Sequence, residues 1–135
     1  MRPRTRPNRR RILAYRNGYL KSEPWWTRRA AYCADRVREL GHELACMCCG
    51  GRITARTAHI HHLSYRAVTR DMDGNWVAGE ADNDLLEMCA TCHITLHRIF
   101  TTNASMRTKG RRGATIAAIR IIRRTLHINN KDNHE

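Results

Sequence analysis

Cysteine and histidine spacing limits the chemistry open to this chain. Two Cys-x-x-Cys pairs are present, Cys46 with Cys49 and Cys89 with Cys92. Four thiolates at this spacing suit a tetrahedral zinc in a closed structural site. Gly50, directly after the first pair, lets the backbone reverse close to the metal. Cys48 offers a Cys-x-Cys alternative of poorer chelating geometry and is expected to remain a free thiol. A redox Cys-x-x-Cys or unrelated core cysteines are the competing explanations. The histidines form a second set. "HIHHLSY", His59 to Tyr65, holds three histidines in four positions, and "CATCHITLH" adds His93 and His97. The i, i+4 spacing of His93 and His97 brings both imidazoles to one helix face. Successive strand residues point to opposite faces, so His61 and His62 cannot serve one site in the same way.

These residues need elements to hold them. "SEPWWTRRAAYCADRVREL" reads as a helix, with Ser22 as N-cap, Pro24 in the first turn and Gly41 as its end. Trp26, Ala30, Cys33, Val37 and Leu40 form its expected apolar stripe, which makes Cys33 a core residue. "RITARTAHIHHL" is rich in β-branched residues and reads as a strand. "DMDGNWVAGEADND" reads as loop or short hairpin, turning at Asp73-Gly74, and "DLLEM" as a short strand. "CATCHITLHRIF" reads as a helix that starts at or just after Cys89. Cys92 and His93 are rotated by about 100 degrees on it, so Cys92 can face the zinc while His93 faces elsewhere. The zinc would pin this helix to the histidine strand and create a second site of His61, His93 and His97, beside His62. "TTNASMRTKGRRG" reads as a mobile basic loop. "ATIAAIRIIRRTLHI" follows as a helix with Ile116, Ile119, Ile122 and Leu126 on one face and Arg120, Arg123 and Arg124 largely outside it. His42, His59 and His127 are expected at the surface or in packing roles.

The chain has 135 residues, 25 Lys and Arg against 12 Asp and Glu, and a formal net charge of +13. That length suits one domain with a modest core. One Phe is present, so a metal staple would compensate for a lean core. Arginine dominates the positive residues and binds phosphate by a bidentate fork, which favours a nucleic-acid partner, DNA foremost. No apolar run is long enough for a membrane span, and the polar N-terminus does not resemble a signal peptide. The expected location is cytoplasmic, where cysteines stay reduced and bind metal rather than pair. Residues 1–18 are expected to be a basic disordered tail, 19–100 the central domain with its leading helix, and 101–135 a basic loop and amphipathic helix. Arg9, Arg10, Arg11, Arg111, Arg112, Arg120, Arg123 and Arg124 are the candidate phosphate contacts. The sequence fixes no oligomeric state.

Taken together, "CMCCG", "HHLSY", "NDLLEMC" and "CATCHITLH" resemble the HNH endonuclease family. "YLKSEPWWTRR" looks like the segment before the knuckle in one branch of small HNH proteins, so the resemblance covers roughly residues 19–100. It implies a small α+β fold with a ββα-metal core, treble-clef-like, of the His-Me finger type. A four-cysteine zinc would staple this core, and helices would flank it. It implies that His61 binds a catalytic divalent metal (magnesium, manganese, nickel or zinc) with His93 and His97, and that His62 is the general base. The family Asn falls at Asp84 here, with Asn83 one step earlier. Either would hold the base or its loop, and an aspartate could also approach the metal. The implied activity is metal-dependent hydrolysis of DNA phosphodiesters in a bacterial or phage-infected cell, by nicking or double-strand cleavage. The rival expectations are a non-catalytic zinc-containing DNA-binding module and an accessory in phage packaging.

Overall fold

The computed structural model describes residues 9–132, with side chains from Arg10 to His127 apart from that of Arg11. It is a small α+β structure with helices and two small antiparallel sheets. α1 (Arg9–Leu20) leads directly into α2 (Glu23–Leu40). The strands are β1 (His59–His62), β2 (Val68–Arg70), β3 (Trp76–Ala78) and β4 (Leu85–Met88), followed by α3 (Ala90–Thr102) and α4 (Gly110–Asp132). β1 pairs with β4 alone, with His61 opposite Leu86 and His62 opposite Leu85. β2 and β3 form a separate hairpin.

The capping residues act as their types require. The Ser22 hydroxyl accepts from Trp25 N–H, and Gly41 closes α2 at φ 71, a left-handed conformation that glycine enters without a Cβ clash. The β2–β3 turn is built as its residues suggest. Gly74 has φ 81, and the Asp71 carboxylate accepts from the N–H groups of Asp73 and Asn75, each at 2.9 Å. Among the described residues no helix is long and apolar enough to cross a membrane.

Several expectations need correction. Residues 9–18 are not a disordered tail but belong to α1. Apolar anchors hold this helix: Tyr19 is fully buried, and Tyr15 meets the Trp76 ring edge-on at 4.5 Å. Residues 1–8 and the side chains of Arg9 and Arg11 lie outside what is described. The β1 strand is shorter than expected, because Thr54 and Thr57 hydrogen-bond each other's backbone N–H and turn the chain before it. The buried face of α2 carries Trp25, Tyr32 and Cys33, whereas Trp26 is 58% exposed and Ala30 and Val37 face solvent. A hydrophobic pattern misses the true face because Arg28 and Arg36 share it, reaching inward to the Glu80 carbonyl and the Glu87 carboxylate. The loop after α3 is a folded 3-10 turn, Ala104–Thr108, with Met106 buried, so α4 starts at Gly110. On α4 the buried residues are Ala114, Thr115, Ala118 and Ile122, while Ile116 is 46% exposed. Small alanines let α4 approach α3 closely, which turns Ile116 outward.

Candidate active site and metal centres

The four cysteines come together as their spacing predicts. One sulfur from each of Cys46, Cys49, Cys89 and Cys92 lies within 4.8 Å of every other. Cys49 and Cys89 sulfurs are 3.9 Å apart. Zn–S bonds of about 2.3 Å in a tetrahedron place sulfurs roughly 3.8 Å apart, so the donor set fits zinc. Backbone N–H groups point at the sulfurs: Cys48 at Cys46, Gly51 at Cys49 and Cys92 at Cys89, each at 3.4 Å. Burial raises the Cys46 thiol, but such backbone donors outweigh it and bring the group down to about 7. Cys48 is excluded from the cluster, and burial pushes its thiol up to about 12. The knuckle is fastened to β4 through Met47 N–H and the Glu87 carbonyl at 3.0 Å. The four close cysteines could hold a metal ion such as zinc.

The second cluster forms on the other side of the strand–helix junction. His61, His93 and His97 each offer one ring nitrogen within 4.8 Å of the other two. His61 Nδ1 lies 3.3 Å from His93 Nε2, and His97 Nε2 lies 2.9 Å from the same atom. Zn–N bonds of about 2.0–2.1 Å put tetrahedral nitrogens roughly 3.3 Å apart, so this set also fits a metal. The far side of two rings is held as well. His61 Nε2 lies 2.9 Å from the Thr115 hydroxyl, which itself donates to the Arg111 carbonyl. The Thr115 proton is therefore used, the imidazole must donate, and His61 Nδ1 keeps its lone pair for the cluster. His93 Nδ1 meets His59 Nδ1 at 3.1 Å. His59 is exposed as expected, but strand alternation puts it on the His61 side, where it steadies His93. Burial depresses the basicity of all three: His61 to about 2, His93 to about 4, and His97 in the same direction. Neighbouring imidazoles and Arg111 add to this. Neutral rings with free lone pairs are what metal binding requires.

His62 points the opposite way from His61, as alternation demands. Its ring stacks on Tyr65 at 4.1 Å and packs against Trp25 at 4.6 Å. Nε2 donates to Glu80 Oε2 at 2.7 Å, and that same oxygen accepts from Tyr19 Oη at 2.7 Å. Nδ1 has no hydrogen-bond partner among the described residues. Burial lowers the His62 pKa despite Glu80, while hydrogen bonds from His62 and Tyr19 hold Glu80 below its usual range against its own burial. β1 has one unpaired edge, so residues from both its faces can border one cleft. A cavity of about 750 Å³ does so, lined by His61, His62, His93 and His97 with Arg16, Arg107 and Arg111.

No family model matches this chain, and neither curated proteins nor solved structures give a match.

Two expected site residues are placed differently. The Asp84 carboxylate does not reach His62; it accepts from Arg112 at 2.6 Å and from Ala81 N–H at 3.3 Å. Its backbone carbonyl, however, accepts from Leu63 N–H at 2.7 Å and so fixes the chain just beyond His62. Asn83 contributes only a carbonyl, to Arg112. Glu80 is the residue that orients His62. Sequence reasoning passed over it as one acid in a polar loop; only the returning hairpin brings it to β1. The arginines also divide. Arg111 is in the cleft, with Nε donating to the His62 carbonyl at 2.6 Å. Arg112 is ion-paired with Asp84, and Arg123 binds the Met47 carbonyl beside the cysteine knuckle. Arg10, Arg120 and Arg124 are exposed and do not line the cleft.

Proposed function

We propose that this chain is a metal-dependent endonuclease of the HNH type, hydrolysing DNA phosphodiesters with His62 as general base. One observation carries the reading: His61 Nδ1, His93 Nε2 and His97 Nε2 converge beside a carboxylate-paired histidine in a cleft lined by arginines. The antiparallel β1–β4 pair followed by α3 is also the order a ββα-metal core needs.

The three histidines would hold the divalent ion, which supplies positive charge for the pentavalent phosphorus and the departing oxygen. The remaining work falls to the chain. His62 Nδ1 accepts a proton from water, and the oxygen attacks phosphorus. The bond from phosphorus to the 3′ oxygen breaks, that oxygen takes up a proton from solvent, and the ends are 5′-phosphate and 3′-hydroxyl. Glu80 holds the Nε2–H tautomer and stabilises the imidazolium that forms, while Tyr65 and Trp25 fix the ring plane. Cleft arginines balance the charge of the diester. The test is nicking of supercoiled plasmid with magnesium, manganese, nickel and zinc in turn. His62→Ala should lose about two to four orders of magnitude in rate per folded molecule, with melting followed alongside because the ring it removes is buried. Equal cleavage by both proteins removes His62 from the mechanism.

A second reading rests on burial. His62 is 1% exposed between two aromatic rings, as a packing residue would be. It favours a non-catalytic zinc-containing DNA-binding module or a packaging accessory, and absence of cleavage with every metal would support it.

A further inference from the structure

Arginines in this protein fall into two groups by what their donors meet. Several are engaged by protein acceptors. Arg28 binds the Glu80 carbonyl and Asp82, Arg29 the Ala55 and Ala58 carbonyls, and Arg36 the carboxylates of Glu87 and Glu39. Arg112 binds Asp84 and Arg123 binds Met47. Arg16 and Arg111 line the cleft together with Arg107, and the first two also share one aromatic ring. Arg16 lies over the Tyr65 ring at 4.6 Å and Arg111 at 5.0 Å from its centroid. Arg16 makes no hydrogen bond or ion pair among the described residues. Arg111 engages only Nε, with the His62 carbonyl, so its terminal nitrogens are unpaired among them too. Among the described residues no carboxylate lines this cleft; Asp84, which borders the adjoining pocket, is held by Arg112. The nearest acid across His62, Glu80, already serves His62 and Tyr19.

We propose that Arg16 and Arg111 form an anion seat across Tyr65 for a phosphodiester group of a nucleic-acid strand, one that binds without any ion at the three histidines. The chemistry follows from the geometry. Two guanidinium groups held near one ring repel each other, and burial with Arg16 nearby holds Arg111 down at about 10, still charged at neutral pH. A phosphodiester carries one negative charge and two non-bridging oxygens, which suits two guanidinium forks that line one cleft. Tyr65 fixes the spacing of the pair by cation–π contact on a ring whose plane is already set by His62. The seat also joins distant parts of the chain. Arg16 belongs to α1 and Arg111 to α4, so a bound strand fastens the N-terminal helix to the histidine core. Apolar residues of α1, Ile12, Leu13 and Leu20, line the same cleft and would take the sugar or base beside the phosphate.

The proposal rests on the nucleic-acid reading of the cleft but not on catalysis. The experiment measures anisotropy of a fluorescein-labelled oligothymidylate with the zinc-containing protein, with no further metal added. Arg16→Gln is the main variant, because Arg16 makes no hydrogen bond whose loss would disturb the fold. Arg111→Gln is compared with it, and an Arg120→Gln, Arg124→Gln double variant controls for net charge. Loss of a charged hydrogen bond should weaken binding about tenfold or more in each cleft variant, against a small effect in the control. An oligomer with neutral methylphosphonate linkages should bind neither better nor worse to Arg16→Gln than to wild type. Equal weakening by the cleft and control variants would overturn the seat and leave a diffuse charge effect. If cleavage fails with all metals while Arg16→Gln still loses affinity, the nuclease reading falls and the seat stands.

Discussion

The cysteine and histidine clusters are built from neighbouring residues and differ in what completes them. Four sulfurs come from two local turns, and the N–H groups aimed at Cys46, Cys49 and Cys89 belong to the same turns. A tetrahedral ion would be fully coordinated there. The histidine set supplies three nitrogens from β1 and α3, draws its outer support from α4, and opens on a cleft. Three donors leave a tetrahedral or larger coordination shell unfinished. Closed four-ligand sites hold folds together, while sites with an open position present an ion to substrate. Cys92 and His93, adjacent on α3, join different clusters because one residue step turns the helix by about 100 degrees.

The largest expected effect lies on the cysteine side. Zinc binding by such peptides releases about 10–16 kcal/mol, comparable with the whole stability of a domain. Cys89→Ser should therefore abolish the cooperative thermal transition seen by circular dichroism, along with tightly bound zinc. A variant that melts like wild type and keeps one zinc would refute the four-cysteine site. The histidine cluster is expected to act in the other sense: emptying it should leave the transition nearly in place.

The contrast also explains what the sequence made legible. The cysteine set depends on spacing within two turns, so Cys46, Cys49, Cys89 and Cys92 are readable without a fold. The helix face of His93 and His97 and the alternation of His61 and His62 are equally local. Ser22, Gly41 and Gly74 act where their residue types place them. Residues that complete the histidine side are not local. Glu80 reaches His62 only because the β2–β3 hairpin returns there, and Thr115 reaches His61 only because alanines let α4 pack closely. Arg16 sits in a segment whose polar composition hides the helix that Tyr15 and Tyr19 anchor. A resemblance could point to an Asn-like position at Asp84, yet Arg112 takes that carboxylate.

Glu80 gives the next smaller effect. Glu80→Gln keeps an oxygen to accept from His62 Nε2–H, so the tautomer survives, but the negative charge that stabilises the imidazolium is gone. The turnover rate in plasmid nicking should fall about tenfold, the difference between charged and neutral hydrogen bonds, with little change in KM. A merely structural Glu80 would instead lower the melting temperature and leave turnover per folded molecule unchanged. Oε1 of Glu80 is buried without a hydrogen-bond partner among the described residues, so with its oxygen in the shared position the introduced amide leaves its NH2 unpaired and costs stability as well, and turnover per folded molecule is the readout that separates the two roles.

Thr115 should give the smallest effect and the sharpest distinction between the two clusters. Its hydroxyl is fully buried, accepts from His61 Nε2–H, and donates to the Arg111 carbonyl. Thr115→Val replaces the hydroxyl with a methyl of similar size, so packing against α3 and β1 is largely retained. The His61 ring loses the acceptor that fixed its tautomer. It can then place its proton on Nδ1, the atom facing His93 and His97, and each ring so arranged is lost as a ligand. Cobalt titration followed by visible absorption, on protein that already carries its cysteine-bound zinc, should show affinity at the histidine set weakened about tenfold. The zinc content should not change, and the melting temperature should move by only a few degrees. If cobalt affinity is unaffected, the Thr115 bond plays no part in presenting His61. If zinc is lost as well, the two clusters are energetically one unit and the division between a closed and an open centre fails.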